Sequence, residues 1–188
     1  MVELPTIREI ARQLDGFALP QSILLKAVEP FNHFFFINCF FNALFSALQY
    51  FQYPVSRIIL SCPIQFLCDN DSFTLEYICR EPWQETLKDL GLNLDVRSGK
   101  IDLRHAILEN LSEKQRPVIL SVDCYYLPYR HDMYQKQHLI HTLLVYGYDD
   151  GSSLFHIIDQ VNAESLSYQK CTVSVKNLQQ AYDGYLEY

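Results

Sequence analysis

Between Phe34 and Tyr53 the chain runs without a charged residue, and this is the one stretch that resembles a membrane span. Asn38, Asn42, Ser46 and Gln49 nevertheless recur along it at helical spacing. A lipid-facing helix has no use for such a stripe, so the segment reads as a buried helix at the centre of a domain. The helix is expected over Cys39 to Gln49, with Asn38 as N-cap because its side-chain oxygen can accept from a free amide of the first turn. Cys39, Ala43 and Ala47 form a file of small residues four apart, which lets the helix approach a sheet closely.

The remaining elements are laid around that helix. Thr6 to Leu14 suits a short amphipathic helix closed by Gly16, Ser22 to Val28 is a weak strand, and Pro30 to His33 reads as a turn. Ile58 to Phe66 mixes strand-forming residues with Pro63. Asp69 to Ser72 reads as a turn before a strand over Phe73 to Cys79. Glu81-Pro82 opens a helix to Leu90 with Gly91 as its stop, and Asp102 caps a second over Asp102 to Lys114. Val118 to Val122, Thr142 to Tyr148 and Leu154 to Ile158 are strands, with Asp150-Gly151 marking a hairpin. Val173 to Tyr182 closes the chain as a helix capped by Ser174. Helices followed by a mostly antiparallel sheet define an α+β layout, and 188 residues fit one domain spanning the whole chain.

The net charge of −7, with no run of Lys or Arg, argues against nucleic acid as a partner. Cys39, Cys62, Cys68, Cys79, Cys124 and Cys171 contain no CxxC pair, and the first residues do not form a basic, apolar leader. Free thiols in a reducing cytoplasm, with no membrane association, are therefore expected. His131, His138 and His141 with Cys124 or Asp123 lack the paired short spacing of a zinc site, so no metal is expected. His105 and His156 read as structural.

Taken alone, Cys39 between Asn38 and Phe40 is a small core residue; at a helix start, however, free amides and the helix dipole favour its thiolate. His141 precedes one apolar strand and Asp159 ends the next, so a hairpin brings the two side chains together. A cysteine facing a His–Asp pair supplies a nucleophile, a base and a group that orients the base. Asp123 is either a turn former or a pocket carboxylate for an amine. Tyr125, Tyr126, Tyr129 and Tyr134 either line that pocket or pack at the sheet edge. The basic residues Arg104, Arg130 and Lys136 would form a docking face for an acidic protein.

Three segments carry a resemblance: Asn38-Cys39 with its helix, Pro117 to Tyr129 (PVILSVDCYYLPY), and His138 to Asp150 together with Asp159. In the chain order Cys, His, Asp they resemble the papain-like cysteine enzyme superfamily. Within it they are similar to the bacteriocin-leader peptidases and to the N-terminal domain of the butirosin biosynthesis acyltransferase. Asp123 to Tyr129 (DCYYLPY) tilts the likeness toward the acyltransferase. The resemblance implies a papain-like α+β fold with Cys39 as acyl-accepting nucleophile, His141 as general base and acid, and Asp159 as orienting carboxylate. It further implies an acyl-phosphopantetheine thioester on an acyl or peptidyl carrier protein as substrate, a small amine as acceptor, and no cofactor. The setting would be the assembly of a nonribosomal peptide or an aminoglycoside. Papain-like enzymes usually place a Gln upstream of the cysteine as oxyanion donor; here the chain offers Asn32, His33 and Asn38. A leader or peptide-amide peptidase, and a non-catalytic binding module of the same fold, are the alternative expectations.

Overall fold

The computed structural model describes residues 22–69, 72–77, 83–161 and 165–188. Among the described residues, seven strands and five α-helices run in the order β1 (Ser22–Leu24), α1 (Cys39–Tyr50), α2 (Ser56–Ser61), β2 (Ile64–Asp69), β3 (Ser72–Tyr77), α3 (Trp83–Asp89), α4 (Leu103–Ser112), β4 (Val118–Asp123), β5 (Ile140–Asp149), β6 (Leu154–Gln160), β7 (Tyr168–Ser174) and α5 (Val175–Leu186). A five-stranded antiparallel sheet carries β1 and β4 along the same side of β5, followed by β6 and β7, while β2 and β3 form a separate hairpin. Helices and an antiparallel sheet make the fold α+β.

α1 begins at Cys39 and is capped by Asn38, whose side chain accepts from the Phe41 amide at 3.3 Å. Its polar stripe has a defined use. Asn42 Oδ1 accepts from the Phe36 amide (3.1 Å), Asn42 Nδ2 donates to the Phe34 carbonyl (3.3 Å), and Ser46 Oγ accepts from the Phe31 amide (2.9 Å). The helix thereby supplies hydrogen-bond partners to the backbone of the irregular segment that leads into it. Pro30 to His33 is accordingly not a hydrogen-bonded turn: side chains from elsewhere hold it.

The apolar residues of α1 serve two cores. Ala43 and Ala47 join Leu143, Leu144, Val145, Ile157 and Ile158 of the sheet, together with Ile107, Leu108 and Leu111 of α4 and Leu178 and Ala181 of α5. Phe41, Leu44, Phe45 and Leu48 join Phe31, Phe36, Ile58 and Leu87. In this aromatic cluster Phe31 meets Phe45 edge to face at 5.0 Å, and Phe36 meets Phe41 at 5.3 Å. Each fully buried Phe or Leu contributes about 1.5–3 kcal/mol by leaving water, so α1 is held from both sides.

Gly147 lies at an irregularity in the β5–β6 ladder, and a Cβ there would stand 2.7 Å from Leu24 Cδ1 and 2.8 Å from the Ile23 carbonyl oxygen. Only glycine lets β1 come that close. The Asp102 cap of α4 accepts from the His105 amide, and the Ser174 cap of α5 accepts from that of Asn177, as their residue types predict.

Several boundaries differ from the sequence reading. Ile58 to Phe66 divides at Pro63 into the end of α2 and the start of β2, since proline ends the helical ladder. The strand expected over Ser22 to Val28 stops at Leu24. The last helix starts at Val175, because Val173 and Ser174 finish β7, a strand the sequence reading did not include. That strand (YQKCTVS) is polar on most positions because it is a sheet edge. The expected helix over Thr6 to Leu14, the centre of the turn at Asp69 to Ser72, Ile78 and Cys79 of the following strand, and the Glu81-Pro82 helix start lie outside the described residues.

Candidate active site

The first turn of α1 presents Cys39 half-buried at the positive end of the helix dipole. The chain reaches it through a tight turn: the Asn38 amide donates to the Phe36 carbonyl at 2.6 Å, and Ile37 between them has φ of 54°. A β-branched residue in the left-handed region stores roughly 1–3 kcal/mol of strain, immediately before the cysteine.

His141 stands at the start of β5, opposite Val122, and is 7% exposed; Asp159 is in β6 and fully buried. The β5–β6 ladder begins with Leu144 opposite Ile158, so both side chains project where the strands begin to diverge. There His141 Nε2 and Asp159 Oδ1 are 2.5 Å apart. The carboxylate also accepts from the Tyr129 hydroxyl at 2.5 Å and from the Gln160 amide at 2.6 Å. Three donors converge on one buried carboxylate. With Nε2 committed to Asp159, Nδ1 is the ring nitrogen left for the Cys39 thiol, with which His141 is hydrogen-bonded.

The electrostatics follow from these contacts. Burial pushes the Cys39 thiol up, but the hydrogen bond and charge of His141, with hydrogen bonds from Thr142, outweigh it and leave the thiol below its ordinary value of 9.0. Burial likewise opposes the His141 imidazolium, yet the charge and hydrogen bond of Asp159, then Cys39, raise it to about 10. Both directions favour a thiolate–imidazolium pair. Elsewhere burial wins: the Cys124 and Cys171 thiols are each pushed up to about 12. Among these three cysteines, Cys39 alone is tuned toward its nucleophilic form.

The other residues singled out in the sequence are placed differently. The Asn32 carboxamide is committed at both ends to the backbone of Tyr168, donating to its carbonyl at 2.8 Å and accepting from its amide at 2.7 Å. His33 is exposed, with its ring edge-on to Phe31 at 5.2 Å, and the Asn38 oxygen caps α1. Asp123 is fully buried and both of its oxygens are engaged. Oδ1 accepts from the Tyr125 and Leu139 amides, and Oδ2 is 2.5 Å from His138 Nδ1. Tyr126 packs against Gly184 of α5, Tyr129 supports Asp159, and the Tyr134 hydroxyl accepts from Gln135. A cavity of about 640 Å³ lies between α1, α4, β4 and α5, lined by Phe40, Leu44, Ile107, Ile119 and Tyr182 among others. Neither Asp123 nor Tyr126, Tyr129 or Tyr134 lines it. Arg130 is buried and paired with Asp132, and Arg104 is held by Tyr148 and Asp150, so these two do not make an open basic face.

Thr142 and the supporting role of Tyr129 were not anticipated from sequence. Adjacency to His141 was the only available signal for the first, and for the second a tyrosine in a loop does not declare its partner. Among the described residues no group of three or more His, Cys, Asp or Glu side chains is arranged to hold a metal, and no helix is long and apolar enough to cross a membrane.

An α+β fold that brings a thiol at a helix start, an imidazole and a buried carboxylate together has the arrangement used by enzymes that work through a cysteine nucleophile. The chain matches the family model of butirosin biosynthesis protein H, N-terminal, over residues 61–160, more than half of its length, and it belongs to that family. The matched segment contains His141 and Asp159, while Cys39 precedes it. No curated protein and no solved structure matches the chain.

Proposed function

We propose that this protein is a papain-like cysteine acyltransferase or thioesterase of specialised-metabolite biosynthesis, acting on an acyl group carried as a thioester on the phosphopantetheine arm of a carrier protein. The observation that supports this most directly is the hydrogen-bonded series Cys39, His141, Asp159, with the thiol lowered and the imidazole raised. Family membership directs the chemistry toward acyl transfer rather than peptide cleavage.

In the proposed reaction the Cys39 thiolate attacks the thioester carbonyl and forms a C–S bond. The tetrahedral adduct then expels the pantetheine sulfur, which takes the proton held by His141. The acyl group is left on Cys39 as a new thioester. An amine, or water in the hydrolytic version, attacks that carbonyl while His141 accepts the proton it sheds. The Cys39 thiolate departs, the amide or acid is released, and the thiolate–imidazolium pair is restored. Asp159 keeps the imidazole oriented and stabilises its charge throughout.

The test is intact-mass measurement after incubation with an acyl-pantetheine thioester. An adduct of acyl mass on the parent protein, absent from Cys39→Ala, is expected. Cleavage of peptides with no adduct from thioesters would favour the peptidase instead, and alkylation by iodoacetamide no faster at Cys39 than at the other thiols would leave only a binding module.

A further inference from the structure

A buried side-chain oxygen normally finds a partner, because leaving one unpaired costs about 1–3 kcal/mol. Among the described residues one such atom has none: the hydroxyl of Tyr168, a residue that is 2% exposed. Phenylalanine would fill the same space without that cost, so the oxygen calls for an explanation beyond packing.

Its position supplies one. Tyr168 pairs with Gln160 across the β6–β7 ladder, one step from the pair formed by Asp159 and Gln169. Its backbone is gripped by both ends of the Asn32 carboxamide, and Asn32 lies on the segment that runs into Cys39. The residue is thus fixed between the strand that carries the orienting carboxylate and the segment that delivers the nucleophile. The polar side chains upstream of the cysteine have other employment: Asn32 is doubly committed, His33 faces solvent, and Asn38 is oriented by the cap its oxygen makes.

We propose that the Tyr168 hydroxyl is a catalytic hydrogen-bond donor, directed at the carbonyl oxygen of the acyl group as it becomes an oxyanion during attack by Cys39. The assignment rests on the function proposed above. The hydroxyl remains protonated at neutral pH, since burial, then the charges of Cys39 and Asp159, push the phenol well above its ordinary value. It therefore donates rather than competes for a proton, and its partner arrives with the substrate. A donor that waits unpaired in the resting protein and pairs in the transition state is the arrangement that lowers a barrier instead of merely tightening binding.

The experiment compares the parent with Tyr168→Phe in two reactions of the same thiol. Alkylation of Cys39 by iodoacetamide develops no oxyanion, whereas single-turnover acylation by an acyl-pantetheine thioester does. The expected result is an alkylation rate within about twofold of the parent, acylation slowed by about 10²-fold or more, and a melting temperature equal to or above that of the parent. Acylation within about threefold of the parent would overturn the assignment. An equal loss in both reactions would do so too, because the hydroxyl would then be serving the thiolate. A parent protein that alkylates rapidly but never acquires an acyl adduct would instead refute the proposed function, and the donor role with it. If the Tyr168→Phe protein melts far below the parent, the hydroxyl is structural and the assignment fails.

Discussion

Replacing Asp159 by Asn removes one charge while keeping shape, and its consequences can be worked from the contacts. The carboxylate accepts from His141 Nε2, Tyr129 and the Gln160 amide. A carboxamide offers one acceptor oxygen; with that oxygen kept for His141 and the Gln160 amide, its NH2 meets the Tyr129 hydroxyl, which must turn from donor to acceptor, and charge-assisted bonds become neutral ones, at about 1–3 kcal/mol of stability. The larger effect is on protonation. His141 is raised to about 10 chiefly by Asp159, with Cys39 adding to it, against the opposing pull of burial; without the Asp159 charge, Cys39 alone opposes burial and the imidazolium is held less tightly. Cys39 then loses part of the imidazolium that lowers it from 9.0. A thiol at its ordinary value is only about 1% thiolate at about pH 7. Iodoacetamide alkylation at about pH 7 should fall toward the rate of an ordinary thiol, its acid limb moving to higher pH, and acyl transfer should fall by about 10³–10⁴-fold. The reaction is followed by intact mass across about pH 5 to 10, roughly spanning the ordinary thiol and imidazole ranges, with circular dichroism confirming the fold. A folded Asp159→Asn protein that alkylates at the parent rate with the parent pH profile would refute the reasoning.

The same pair affects stability with pH. His141 holds its proton more tightly in the folded state, so its contribution is complete below pH 6.5 and is lost as pH rises through about 10; denaturant titrations of the parent should show this alkaline loss, and Asp159→Asn should not. Tyr129→Phe removes one of the three donors to Asp159, with an expected cost of about 1–3 kcal/mol in urea unfolding and a smaller loss of Cys39 reactivity than Asp159→Asn. Gly184→Ala would place a Cβ 2.5 Å from Tyr126 Cε2 and 3.2 Å from Asp123 Oδ2. It should destabilise by about 1–3 kcal/mol despite better helix propensity, with Cys39 alkylation unchanged. Asn38→Ala removes the cap of α1 and should lower stability by about 1 kcal/mol in the same titration.

What could be read from the sequence was what depends on local chemistry and on short connections. The helix at Cys39 was legible because an Asn cap, a file of small residues and a polar stripe occur together. The His141–Asp159 approach was legible because a hairpin with a marked turn joins β5 to β6. What escaped depends on distant partners. The polar stripe of α1 was visible, but not that it bonds the backbone of residues 31 to 36. For Tyr129 the sequence leaves pocket lining and sheet-edge packing both open, because nothing local shows that its hydroxyl meets a carboxylate thirty residues away. Tyr168 belongs to a strand whose polar edge pattern hides an otherwise ordinary β-ladder.

Two His–Asp pairs flank the start of β5, and comparing them shows why only one is a candidate for catalysis. His138 lies against Asp123 at 2.5 Å, much as His141 lies against Asp159. Asp123, however, sends its other oxygen to the Tyr125 and Leu139 amides at the two ends of the loop between β4 and β5. The His138 ring is stacked on Tyr125 at 4.3 Å, nearly parallel. That pair ties a loop shut. At Asp159 the acceptor positions are filled by an imidazole, a phenol and one amide, and the imidazole continues to a thiol at a helix N-terminus. The difference arises because α1 delivers Cys39 to His141, and that delivery depends on the small residues Ala43 and Ala47 letting the helix lie close to the sheet.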